Sequence, residues 1–200
     1  MSSMGYTEWA LCMNRSQVFT PLSVQYVVDC GKQFKEESGG NMWFDGCNKA
    51  HLKQTMNFVK EYGLELEANM PYLEQETRCP FEITAPHEKR GYIRPKSVKP
   101  PIRLAGSTTK LDLALKRGPV MVSMREPKSF IGYAGGILDS CNDRGGHAML
   151  VVGDMIEDGI EYLIIKNSYG PDWGYGGYLK FRRSAAAECV KEFIVPVLEL

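Results

Sequence analysis

Apolar positions change their spacing along the chain, and the change divides it into two halves. Between His51 and Tyr62 they fall at 52, 56, 58, 59 and 62, close to a helical period, and Gly63 follows as a stop. Ser23, with Pro21 and Leu22 just outside, is a fitting N-cap for a helix over Val24 to Cys30. Gly31 to Gly46 is rich in glycine, charge and asparagine and reads as loop. Leu111 to Arg117 predicts a short amphipathic helix ended by Gly118-Pro119. Beyond it the pattern predicts strands over Val120 to Met124, Ala148 to Val152, Tyr162 to Lys166 and Tyr178 to Arg182. Glycine turns separate them at Gly135-Gly136, Gly145-Gly146 and Gly174 to Gly177. A helical half followed by a strand half predicts an α+β architecture of two packed lobes, with chemistry expected in the cleft between them.

Between the halves, Pro86 to Arg103 holds four prolines and six Lys or Arg against one Glu, and reads as an exposed crossover rather than a basic recognition site. The whole chain has no such bias. Lys+Arg and Asp+Glu both count 24, so no nucleic-acid partner is expected. No apolar run approaches the roughly 20 residues needed to span a bilayer, so no membrane partner is expected either. Met1 to Tyr6 has neither a basic start nor an apolar stretch and does not read as a signal peptide. The six cysteines, at 12, 30, 47, 79, 141 and 189, read on count alone either as a disulfide framework or as reduced, buried thiols.

His147 opens an apolar strand, where a lone histidine is usually structural. The segment Lys166-Asn167-Ser168-Tyr169-Gly170 alters that reading. Two antiparallel strands would let Asn167 reach across to His147. An amide holding one ring nitrogen leaves the other to face a reacting group, as the third member of a nucleophile–base–orienter triad does. Tyr169 would lie over the pair and keep water away.

These residues resemble the papain/cathepsin L group of cysteine peptidases. Leu22-Ser23-Val24-Gln25-Tyr26-Val27-Val28-Asp29-Cys30 is similar to that family's Leu-Ser-Glu-Gln-x-Leu-Val-Asp-Cys. Gly46-Cys47-Asn48 resembles the start of Gly-Cys-Asn-Gly-Gly, and Met70-Pro71-Tyr72 resembles Tyr-Pro-Tyr. Gly118-Pro119-Val120 resembles the Gly-Pro-Val strand. His147 matches the catalytic His, and Asn167-Ser168-Tyr169-Gly170 the Asn-Ser-Trp-Gly segment. The matches run in family order from about residue 1 to 195.

The resemblance implies a papain-like two-lobe fold, with residues 1–93 mainly helical and 94–200 mainly β. It implies His147 and Asn167 as catalytic residues, and Asn48, Lys49, Ala50, Gly146 and Tyr169 along the cleft. It implies disulfides Cys30–Cys79 and Cys141–Cys189, with Cys47 single and Cys12 without a family counterpart. It implies a protein or peptide substrate, no metal or cofactor, and a lysosomal or extracellular compartment. Asn14-Arg15-Ser16 is a glycosylation sequon that matters only on the secretory route.

Three departures qualify those implications. No Cys-Gly-Ser-Cys-Trp-Ala-Phe-like motif occurs, so the nucleophile Cys and the oxyanion Gln are expected to be absent, and the chain to begin inside the family's central helix. Met4, Trp9, Ala10 and Met13 are then its candidate buried positions. Lys49 and Ala50 stand where the family has Gly-Gly, which either crowds and recharges the peptide-binding edge or is tolerated loop variation. Gly145 and Gly146 are expected to leave the His147 side of the cleft open. The expected function is that of a papain-family peptidase homologue, inactive as this chain alone. The alternative is a non-catalytic peptide- or protein-binding pseudopeptidase, and a third reading is a structural subunit whose fold is completed by a partner segment supplying the missing helix and strand.

Overall fold

Ser23 caps its helix as its side-chain chemistry requires. Its Oγ accepts from the Tyr26 N–H at 2.9 Å and donates to the Met70 carbonyl at 2.7 Å. The structure, a computed structural model, describes residues 2–14, 19–33, 46–47, 50–80, 97–103, 108–143 and 145–199. The chain divides into two units: residues 7–100 with 196–200, and residues 1–6 with 101–195.

Three helices shape the first part of the chain: α1 over Ser2–Asn14, α2 over Val24–Cys30 and α3 over Leu52–Tyr62. Met4 and Ala10 of α1 are buried and Trp9 is half-buried. Met13, expected inside, is 59% exposed; Tyr6 and Thr7 are the further buried positions. Tyr26 of α2 and Phe58 of α3 meet with ring centroids 5.5 Å apart, and Leu22, Met56, Val59 and Leu64 are buried with them.

The segment Leu73–Cys79 is tied to α2 by polar groups. Gln25 Oε1 accepts from Leu73 N, and its Nε2 donates to the Gln75 carbonyl and to Asp29. The Asp29 carboxylate accepts from the backbone and hydroxyl of Thr77 at 2.7 and 2.6 Å. The Cys30–Cys79 disulfide fastens the same segment covalently. The Gln, Asp and Cys of the α2 motif thus form one clamp.

The strand half contains β1 (Ser97–Arg103), α4 (Thr108–Leu115), β2 (Val120–Met124), β3 (Ile137–Leu138), β4 (His147–Glu157), β5 (Ile160–Lys166), β6 (Tyr178–Arg182), α5 (Ala186–Cys189) and β7 (Val190–Glu199). The strands form one sheet in the order β1-β7-β2-β4-β5-β6-β3. Its packed side is built from Val120, Val122, Met124, Met149, Val151, Leu163, Ile165, Leu179 and Phe181, with Leu111 of α4 and Phe193 of β7.

Two expectations change. Ser97–Arg103, read as the end of a crossover, is strand β1; it lies at the sheet edge, where only one side of the strand is paired, so at most one of the adjacent Pro100 and Pro101 lacks an N–H on the side of β7. Residues 81–96 of that crossover, and 34–45 of the glycine-rich loop, lie outside the described residues. The second change is β7, which the sequence pattern does not predict, because Pro196 and the charges Lys191 and Glu192 mask its alternation.

Candidate active site

The register of the sheet brings His147 and Asn167 together. β4 and β5 run antiparallel, with Leu150 opposite Lys166 as the last ladder pair. Continued one step, that register sets Asn167 across from Met149, and His147 shares Met149's face because side chains alternate along a strand. The two residues are therefore diagonal neighbours on one face of the sheet. The Asn167 N–H donates to the Gly177 carbonyl at 2.9 Å, fixing its backbone.

His147 Nε2 lies 2.8 Å from Asn167 Oδ1. A carbonyl oxygen only accepts, so the hydrogen sits on Nε2 and the Nδ1 lone pair remains available for proton exchange. Asn167 is 8% exposed, and its buried Nδ2 has no partner among the described residues.

Aromatic rings pack beside His147. Phe130 presents an edge to the His147 ring at 5.4 Å between centroids, and Tyr169 lies 5.6 Å from it. Trp173 packs on Phe130 at 5.0 Å and donates its indole N–H to the Phe130 carbonyl at 3.0 Å. Tyr133 reinforces this loop: its hydroxyl donates to the Gly136 carbonyl at 2.6 Å and accepts from the Lys180 N–H. Tyr169 remains 47% exposed, so it covers one side only. Burial, and secondarily the charge of Glu126, raises the pKa of the Tyr169 hydroxyl, which keeps it neutral.

Gly174 makes the Trp173 turn possible. It has φ +60°, and a Cβ there would lie 2.5 Å from the Tyr178 carbonyl oxygen, closer than any side chain can approach.

The remaining expected residues are distributed as follows. Ala50 is exposed just before α3, while Asn48 and Lys49 lie outside the described residues, as does Arg15-Ser16 of the sequon. The structure contains the disulfides Cys30–Cys79 and Cys141–Cys189; Cys12 and Cys47 are free, Cys12 half-buried and Cys47 exposed. Gly145 and Gly146 are exposed, and the Lys191 ammonium lies beside them. Lys191 Nζ donates to the Gly145 carbonyl at 2.7 Å and lies 3.0 Å from where a Gly146 Cβ would stand. Phe130 and Lys191 are the site residues the sequence reading missed. Phe130 carries no motif, and Lys191 comes close only through the pairing of β7 with β2.

Among the described residues no cluster of His, Cys, Asp or Glu could hold a metal ion, and no helix is long and apolar enough to cross a membrane.

Comparison with known proteins gives this arrangement its context. A cathepsin L-like proteinase of Phaedon cochleariae is 35% identical over 173 residues, covering 84% of this chain and 48% of that protein. Papaya proteinase 4 of Carica papaya is 32% identical over 168 residues, covering 82% of this chain and 43% of that protein. The chain thus spans about half the length of the curated relatives it matches. Digestive procathepsin L 3 of Tenebrio molitor superposes over 100% of this chain and 62% of its own, with a TM-score of 0.74 and 26% identity. The model of the papain family cysteine protease matches residues 1–195, and the chain belongs to that family.

Proposed function

We propose that this chain carries the histidine–asparagine part of a papain-type site directed at protein or peptide. The 2.8 Å contact between His147 Nε2 and Asn167 Oδ1 supports this reading, because it holds the ring with Nδ1 free. In such a site a cysteine thiolate attacks the peptide carbonyl, and the imidazole passes a proton to the leaving amine. Asn167 orients the ring, and the Phe130 and Tyr169 rings shelter the bond between them.

The 200-residue chain by itself is expected not to hydrolyse peptides. Its sequence holds no Cys-Gly-Ser-Cys-Trp-Ala-Phe-like stretch to supply a thiolate and an oxyanion site. Losing one oxyanion donor alone typically costs about 10²–10³ in rate. A partner segment bearing the Cys and Gln would complete the site. The second reading is a peptide- or protein-binding homologue without catalysis, in which the histidine–asparagine pair stands without the nucleophile motif. Two disulfides suit a lysosomal or extracellular setting.

A peptidyl-methylcoumarin assay tests this. The expected result is no turnover, together with saturable binding of a dye-labelled peptide that weakens when His147 is replaced by Ala. Turnover blocked by an epoxysuccinyl thiol reagent would overturn the inactivity. Absence of any peptide binding would overturn the peptide-directed reading.

A further inference from the structure

Lys191 reaches the His147 rim because of a defect in the ladder. β7 pairs with β2 through Ser123 opposite Glu192 and Met124 opposite Val190, so Lys191 is an extra residue without a ladder partner. Such a bulge re-aims a side chain. Met124 is opposite both Val190 on β7 and His147 on β4, so the bulge stands one strand away from the histidine. From there the Lys191 ammonium crosses to the backbone immediately before His147, where two glycines leave room for it.

The ammonium forms no ion pair there. Lys191 Nζ donates to one neutral carbonyl, and among the described residues no carboxylate pairs with it. An ammonium has three donors, so further hydrogens stay available for an anion. The other flank of Gly145 has the opposite sign: the Glu126 carboxyl carbon lies 3.8 Å from where a Gly145 Cβ would stand, and its charge reaches Tyr169. The rim before His147 is therefore cationic on one side and anionic on the other.

We propose that Lys191, aimed by the β7 bulge over Gly145-Gly146, forms an anion subsite beside His147 that selects peptides with an aspartate or glutamate side chain at one position. The proposal rests on the peptide-directed reading above. The ligand carboxylate takes the remaining ammonium donors, and Glu126 repels the same side chain in the neighbouring position, so the preference is confined to one place along the peptide.

The test uses the 200-residue chain and dye-labelled hexapeptides, with a single Glu or Gln walked along an otherwise neutral sequence. Fluorescence anisotropy reads the affinities. One position should favour Glu over Gln by about fivefold at low ionic strength, the ratio shrinking as salt screens the exposed pair. Lys191→Met should bring that ratio to about one, Lys191→Glu should invert it, and Lys191→Arg should keep it. Equal Glu and Gln affinities at every position, or a ratio that survives in Lys191→Met, overturns this subsite while leaving peptide binding standing. Binding of none of the peptides overturns both readings.

Discussion

Asn167 stands one residue past the last β4–β5 ladder pair, and its Oδ1 holds His147 Nε2 at 2.8 Å. The acceptor fixes which ring nitrogen carries the hydrogen, so the site's tautomer is set by one buried side chain. Asn167→Ala should remove that constraint. In long-range proton–nitrogen spectra the native chain should show His147 protonated at Nε2, and the variant a mixture of tautomers. The stability cost should be about 1 kcal/mol, the usual net value of one hydrogen bond. An unchanged tautomer in the variant would separate Asn167 from the histidine's state.

Gly174→Ala tests the turn that carries Trp173. The added methyl would meet the Tyr178 carbonyl oxygen at 2.5 Å and the Tyr133 ring at 3.0 Å, at a backbone φ of +60°. Strain of this kind costs on the order of 1–3 kcal/mol. Denaturant unfolding should show that loss, and near-ultraviolet circular dichroism should report a disturbed Trp173 environment. Native stability in the variant would mean that the turn relaxes at no cost.

The histidine–asparagine pair was legible because strand periodicity and the order of motifs both point to it. The Ser23 cap and the Gly63 stop were legible for a local reason, since each acts within one helical turn. Phe130 and Lys191 were not legible: one reaches His147 through a loop pinned by Tyr133 and Trp173, the other through a bulge between strands distant in sequence. Met13 shows the limit of periodicity on α1, where apolar residues occur on more than one face and packing alone decides which is covered.

Arg183 holds an ion network that no motif announces. It is buried, and its guanidinium pairs with Asp112 of α4, with Asp154 of β4 at 3.1 Å and with Glu161 of β5 at 3.8 Å. The carboxylates are 46%, 48% and 61% exposed, so solvent screens each pair. Arg183→Met keeps most of the packed stem and removes the charge the three acids share. A loss of about 1–2 kcal/mol at low salt is expected, shrinking as salt screens the acids from one another. A loss that does not change with salt would assign Arg183 to packing alone.

The two disulfides close segments of similar length, with sequence separations of 49 and 48. Loop-closure entropy then gives both nearly the same weight, about 2–4 kcal/mol each. Serine pairs replacing either bond should lower stability by comparable amounts. Thiol titration of the native chain should find two reactive cysteines, the exposed Cys47 ahead of the half-buried Cys12. A third reactive thiol, or a mapped bond from Cys47 to Cys30, Cys79, Cys141 or Cys189, would contradict this pattern.

Alkaline pH should expose the cost of burying phenols. Burial raises the pKa of Tyr6, Tyr133 and Tyr169 above the ordinary 10.0. At Tyr133 the hydrogen bond from the Lys180 backbone opposes that rise without cancelling it. A raised acid holds its proton longer in the folded chain than in the unfolded one. Between the ordinary value and the raised values the folded state therefore binds more protons, and stability falls as pH rises. Below pH 10 both states are protonated at these phenols and their contribution is constant. Denaturant unfolding should show a plateau of the tyrosine contribution up to about pH 10 and a decline above it. Tyrosinate absorbance in the native chain should show some of the ten tyrosines titrating late, released together on unfolding. All ten titrating together near the ordinary value while the fold persists would show that Tyr133 is not held neutral and that its bridge between β6 and the Phe130 loop opens freely.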